Sequence, residues 1–276
     1  MPLPPGLDPA GLRAAFLDLD GTVLDHAVPL PTAAGAIARL QATGVTCVIA
    51  TGRMLTSARR IAELLGISAP LVCYQGAMVG TADGVILRHD PLDIPTARDL
   101  LIEIERAGFD PVAFIDEHVY VAHESQTARV YSENAGVGYR VVGELAHWLP
   151  APVTKLVTWG EPDEMSALRD DLLPRYGRRA FIAKSLPYYL EMAAPGVSKA
   201  TGAAHVCELL GIGSEHCIAF GDGENDIELL EWAGYGVAVD QGFEPLRLHA
   251  DWVCPPLAED GVPRVLEAIA AARADL

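Results

Sequence analysis

The stretch 16-FLDLDGTVLD-25 decides how this chain is read. Residues 14–19, AAFLDL, are an apolar run of strand length, yet Asp18 and Asp20 are set into its end, and Gly21 and Thr22 follow at once. Burying an unpaired carboxylate is costly, so these acids need a partner or a task. Residues two apart in a strand point to the same side, so both acids can face one cleft, with Gly21 letting the chain turn sharply.

The chain has 276 residues, enough for one large domain or two modest ones with a real core. Its formal net charge is −17, from 37 acidic and 20 basic residues. That balance argues against an extended nucleic-acid surface and against attraction to anionic membranes. A phosphorylated small molecule is still compatible, because one metal ion and a few local cations can reverse the field inside a cleft. The N-terminal MPLPPGLDPAGLRAAF does not read as a signal peptide, and no apolar run is long enough to span a bilayer. Cys47, Cys73, Cys207, Cys217 and Cys254 are far apart and lack CxxC spacing, which predicts buried thiols in a reducing cytoplasm rather than disulfides or zinc.

Working outward from residue 16, strand and helix signals alternate. AAFLDL is followed by PTAAGAIARLQATG, with Ala33, Ile37 and Leu40 at helical spacing, then the apolar VTCVIATGR and the amphipathic MLTSARRIAELLG. PLVCYQG is a third strand, so the first part predicts right-handed crossovers and a parallel sheet. The rhythm changes near Gly80. VILRHD predicts an antiparallel strand, residues 95–107 a helix, and PVAFIDEHVYVA a hairpin turning at Asp116 to His118. YRVVGEL, TKLVTWG, DEMSALRDDLL, AFIAKS and YYLEMA continue in an α+β manner. After Pro195 the α/β alternation resumes, ending in a helix from about Gly261 to Ala274. The expected fold is α/β: a Rossmann-like parallel-sheet core over residues 1–80 and 190–276, helices on both faces, and an inserted α+β cap over 81–189.

Ligands of α/β sheets sit beyond the carboxyl ends of the strands. Four polar clusters fall at such places: Asp18 with Asp20; Thr51, Gly52 and Arg53; Lys199 behind a natural N-cap, Ser198; and GDGEND, which carries Asp222, Asn225 and Asp226. Several carboxylates in one pocket repel unless a cation sits among them, and hard oxygen ligands without histidine or thiolate select magnesium. A lysine and a hydroxyl supply donors for phosphoryl oxygens. One carboxylate can attack phosphorus, and another can protonate the departing alcohol and then activate water. Other motifs fail. An EF-hand beginning at Asp18 would need other residues at Thr22, Val23 and Pro29; a dinucleotide fingerprint needs Gly where Asp226 stands; and P-loop, nucleophile-elbow and H-E-x-x-H patterns do not occur.

Together, DLDGT, TGR, the isolated Lys199 and GDGEND resemble, in order, the four motifs of the haloacid dehalogenase superfamily. The long insert, CYQGA at 73–77 and PGVSKA before the lysine resemble the Cof-like sugar-phosphate phosphatases with a type IIB cap. The resemblance implies Asp18 as nucleophile and Asp20 as general acid and base. It implies phosphoryl binding by Thr51, Gly52, Lys199 and Asn225, and magnesium held by Asp18, the Asp20 carbonyl and Asp222, with Asp226 in support. Gln75 stands where such proteins usually have Asn, and Ala200 where they often have Gly. Arg53 and, on the cap, Glu117 and His118 are candidate substrate contacts, as are His123 and Lys155 or Lys184. The expected activity is magnesium-dependent hydrolysis of small phosphorylated metabolites, sugar phosphates foremost, through a phosphoaspartate. A phosphomutase of the same fold and a non-catalytic metal- or phosphate-binding module are the alternatives. A cytoplasmic monomer or homodimer without nucleic-acid or membrane partners is expected.

Overall fold

The computed structural model describes residues 1–25 and 27–275. Five strands lie parallel in the order Trp252–Cys254, Tyr235–Val239, Cys217–Gly221, Ala14–Leu17 and Thr46–Ile49. A single bridge from Ala50 to Val72 carries the sheet on to Leu71–Cys73, which starts an antiparallel trio with Met78–Gly80 and Ile86–His89.

Alternation along the strands divides the core into two layers. Ala15 and Leu17, with Cys47, Ile49, Ile218 and Phe220, pack with residues of helices Ala33–Ala42, Leu55–Leu65 and Gly261–Ala274. Ala14 and Phe16, with Val48, Cys217 and Ala219, pack on the opposite side with residues of helices Lys199–Leu210 and Ile227–Trp232. Phe16 is fully buried and meets the ring of Trp232 edge-on at 5.4 Å. The expected α/β core with helices on both faces is what forms.

The cap is a six-stranded sheet in the order Tyr139–Val141, His118–Val121, Val112–Ile115, Lys155–Trp159, Tyr189–Ala193 and Phe181–Leu186, antiparallel except for its first pair. One face, through Ala113, Ile115, Leu156 and Met192, packs with helices Ile94–Arg106 and Pro162–Tyr176. The other, through Val112, Phe114, Val157 and Tyr189, joins the cluster that contains the core residues Leu17 and Tyr74. The tip of the hairpin Val112–Ile115/His118–Val121 is two residues, Asp116 and Glu117, both with positive φ (48° and 59°), the backbone of a type I′ turn.

Tyr189–Ala193 pairs with cap strands on both sides, so the boundary expected at 189/190 lies inside a cap strand. The boundary expected at 80/81 lies in the loop between Met78–Gly80 and Ile86–His89. Helices Gln126–Ala135 and Leu145–Trp148 were not expected. The first is short and polar, so periodicity misses it; its visible signals are its caps, Ser125, whose hydroxyl accepts from the Ala128 N–H, and Gly136. All five cysteines are buried and unbridged, as expected.

Because Phe16 fills the layer between the central strand and Trp232, Phe16→Ala is expected to cost about 3 to 5 kcal/mol of folding stability. Urea unfolding measures this, and a loss near zero would contradict the packing described.

Candidate active site

The three adjacent strands Thr46–Ile49, Ala14–Leu17 and Cys217–Gly221 end side by side, and each hands over one polar cluster. The Asp18 N–H continues the ladder by donating to the Phe220 carbonyl at 3.0 Å, which fixes the side chain beside the GDGEND loop. Gly21 has φ +87°, and a Cβ there would lie 2.2 Å from Asp222 Oδ2. Only glycine lets the loop after Asp20 pass this close to Asp222. Thr22 donates from its hydroxyl to Asp222 Oδ1 at 3.0 Å.

Lys199 is placed by its helix. Ser198 caps it, accepting from the Thr201 N–H while the Thr201 hydroxyl accepts from the Ser198 N–H. The ammonium is buried and donates to Asp18 Oδ1 at 2.5 Å and to Asp226 Oδ1 at 2.6 Å. Asp226 Oδ2 accepts from the Asp222 and Gly223 N–H groups at 3.1 and 2.9 Å, so both its oxygens are engaged within the protein.

One ammonium does not offset this much negative charge. Burial, only partly countered by Lys199, holds the Asp18 carboxyl well above its ordinary range, and Asp226, Asp222 and Asp20 push the same way. Burial and then Asp226 push Asp222 from 3.8 up to about 7. Burial opposes the charge on Lys199, but Asp18 and Asp226 outweigh it and raise its pKa. Oxygens of Asp18, Asp222 and Asp226 lie within 4.8 Å of one another, an all-oxygen set that could hold a metal ion. The charge excess and the hard donors fit a divalent cation such as Mg2+. Asp18 and Asp222 are the freer carboxylates for it, and Asp226 supports the loop.

Asp18, Asp20, Thr51, Gly52, Arg53 and Asn225 line one cavity of about 330 Å3. Thr51 is buried and its hydroxyl accepts from the Arg53 N–H at 3.2 Å. Arg53 grips Asp20 with both arms of its guanidinium, Nε to Oδ2 at 2.7 Å and a terminal nitrogen to Oδ1 at 2.5 Å. The four sequence clusters therefore converge.

The cap candidates divide. Glu117 lies outside the residues lining this cavity. Its Oε2 accepts from the Thr56 N–H and hydroxyl at 2.7 and 2.8 Å, and its Oε1 from the Tyr74 hydroxyl at 2.6 Å. It thus caps the core helix Leu55–Leu65, whose own N-cap, Met54, has no side-chain oxygen to do so. His118 is exposed, with Nδ1 2.7 Å from the Asp116 carbonyl. His123 pairs with Asp110, and Lys184 donates to Ser166; neither lines the cavity. Lys155 does line it, buried, donating to the Gly52 carbonyl at 2.6 Å and to Glu191 Oε1 at 3.1 Å.

Sequence reasoning passed over Glu191, Ser185 and Tyr188, which also line the cavity. Burial and the nearby Asp20 carboxylate raise the Tyr188 phenol. Glu191 had a signal: it is a lone acid inside the apolar run YYLEMA, the same anomaly that marks Asp18.

Residues 15–266 match the family model for haloacid dehalogenase-like hydrolases. The chain belongs to that family. It is 28% identical over 261 residues to the 5-amino-6-(5-phospho-D-ribitylamino)uracil phosphatase YitU of Bacillus subtilis, covering 91% of this chain and 95% of that one. It is 29% identical over 240 residues to the HMP-PP phosphatase of Escherichia coli, covering 85% of this chain and 86% of the other. A solved HAD subclass IIB sugar phosphatase superposes with a TM-score of 0.79 at 22% identity, over 92% of this chain and 98% of that one, so core and cap share its fold. No described helix is long and apolar enough to cross a membrane.

The raised carboxyls give a sign to the pH dependence. A carboxylic acid whose folded pKa lies above its unfolded value favours the fold at low pH, and that contribution is lost as pH rises through the folded pKa. For Asp222 the window runs from 3.8 to about 7. A cation bound by these acids restores the loss, so the rise in Tm on adding Mg2+ is expected to be larger at pH 8 than at pH 5. Thermal unfolding at both pH values with and without Mg2+ checks this; an equal rise at both would contradict it.

Proposed function

We propose that this member of the hydrolase family is a magnesium-dependent phosphatase of small phosphorylated metabolites, sugar phosphates foremost, acting in the cytoplasm through a phosphoaspartate on Asp18. The observation that carries the reading is the buried Lys199 ammonium joining Asp18 to Asp226, with Asp222 within ligand distance and Thr51 and Asn225 on the same cavity. The cavity volume suits a small metabolite rather than a macromolecule. The named activities of the two curated relatives, both phosphatases, support the same substrate class.

In this reading Asp18 attacks phosphorus through a carboxylate oxygen while the ester P–O bond breaks. Asp20 gives its proton to the leaving oxygen, then takes one from the water that attacks phosphorus and releases phosphate, returning Asp18 to its starting state. Lys199, Thr51 and Asn225 hold the phosphoryl oxygens, and Lys199 offsets part of the burial that raises the Asp18 carboxyl. Asp18, the Asp20 carbonyl and Asp222 would hold Mg2+, which would supply charge neutralisation at the phosphoryl oxygens. Arg53, paired with Asp20, would then face the leaving group, and the cap residues that line the cavity would limit water at the ester.

A screen of phosphorylated metabolites with and without Mg2+, run beside Asp18→Asn, tests the reading. Turnover is expected only with the ion, and the variant, which keeps the shape but removes the anionic nucleophile, is expected to lose roughly a thousandfold or more in kcat. Undiminished hydrolysis by Asp18→Asn would sink the proposal.

A further inference from the structure

A chain of polar contacts crosses from the cap to both phosphate-binding loops through a single carboxylate, that of Glu191. This side chain belongs to the cap strand Tyr189–Ala193 and is 5% exposed. Its Oε1 accepts from the Lys155 ammonium at 3.1 Å and from the Ser185 hydroxyl at 2.8 Å. Lys155, 1% exposed and lying over the rings of Phe114 and Tyr74 at 5.2 and 5.8 Å, also donates to the Gly52 carbonyl at 2.6 Å. On the other side, Glu191 Oε2 accepts from Gln75 Nε2 at 2.8 Å, and Gln75 Oε1 accepts from Asn225 Nδ2 at 2.9 Å. One branch thus ends on the Thr51–Gly52–Arg53 loop and the other on the GDGEND loop.

The backbone is shaped to permit this. Gln75 adopts φ 59°, a left-handed conformation that a long side chain rarely takes, and Tyr74 before it has φ 51°. Strain of this kind persists where the surroundings require it and concentrates at functional sites. A Cβ on Gly52 would fall 2.3 Å from Gln75 Nε2 and 3.3 Å from Glu191 Oε2. The glycine of the TGR cluster is therefore what lets the amide and the carboxylate close over the loop. A buried ion pair is a poor source of stability, since apolar residues of like volume do as well. Its value lies in fixed geometry.

We propose that Glu191, through Lys155 and Gln75, is a positioning residue that sets the spacing of the two phosphate-binding loops, so that cap closure and a competent phosphoryl site are the same event. This rests on the phosphatase reading above. The oxygens of Glu191 are engaged by protein donors, so it acts through the loops and not by touching the leaving group. A displacement of the phosphoryl donors by a fraction of an ångström weakens binding of any phosphate, whatever alcohol it carries.

The test uses the full chain with Mg2+ present and orthovanadate as probe of the phosphoryl site. Glu191→Gln and Lys155→Met are each expected to weaken vanadate inhibition and lower kcat by about tenfold or more. The factor should be the same across phosphate esters with different leaving groups. Each single variant leaves one buried charge unmatched and should lower Tm, whereas the double variant removes both charges and should recover Tm without recovering vanadate affinity. Gln75→Met cuts the link to Asn225 without touching a charge and gives the same reading should the charge variants not fold. Recovery of vanadate affinity together with Tm in the double variant would reduce the pair to a structural role. Losses that differ strongly between esters would make Glu191 a substrate contact, and folded variants within about twofold of wild type would remove it from the site; each overturns the inference alone. A wild-type protein that neither hydrolyses esters nor binds vanadate would instead overturn the phosphatase reading, and this inference with it.

Discussion

The buried ammonium of Lys199 is the contact on which the site depends. It holds Asp18 and Asp226 from two different strand exits on one atom. It draws the Asp18 carboxyl down against burial and against Asp226, Asp222 and Asp20, all of which raise it. Its position is decided by local rules: the capping box at Ser198 and Thr201 fixes where the helix starts, and the side chain of the first helical residue then points at the ends of the strands. The arrangement of the parallel sheet does the rest, since the three strands that end beside this ammonium are neighbours in the sheet.

The cap is attached to this core by apolar and polar means with separate roles. Phe114 meets Tyr74 at 5.9 Å, and the face of the cap sheet that carries Phe114 and Val157 buries with core side chains, which supplies adhesion without direction. Direction comes from Glu117, whose carboxylate takes up a main-chain N–H left over at the start of helix Leu55–Leu65, a favourable place for negative charge. The same helix follows directly on the Thr51–Gly52–Arg53 loop, so the hairpin tip and the Lys155–Glu191 pair grip the two sides of one short segment.

The core and its four clusters were legible because each obeys a short-range rule. Apolar runs of strand length alternate with amphipathic helices, and acids at the ends of such runs demand an explanation wherever the chain goes. The cap was legible as an α+β insert but not in its contacts. Glu117 and His118 sit at a hairpin tip, which sequence identifies, yet whether the tip faces a ligand or a neighbouring helix depends on the docking of two sheets, and it is the helix that Glu117 meets. Glu191 and Lys155 lie 36 residues apart and come together only because their strands are adjacent and antiparallel. Charge inside an apolar strand could have marked both, although Glu191 was passed over; the partner was not readable until the sheet order was known.

The distribution of charge then separates chemistry from recognition. Cations that reach the cavity from the loop and the cap, Arg53 and Lys155, each carry a carboxylate partner, Asp20 and Glu191. Neither is a bare positive charge waiting for a second phosphate. What remains for the other end of a ligand is the cap hairpin wall, where Leu186 and Tyr188 present apolar surface and a phenol. The side chains free to vary without disturbing Lys199 are those of the cap, which is where differences in substrate between members of this fold have room to arise.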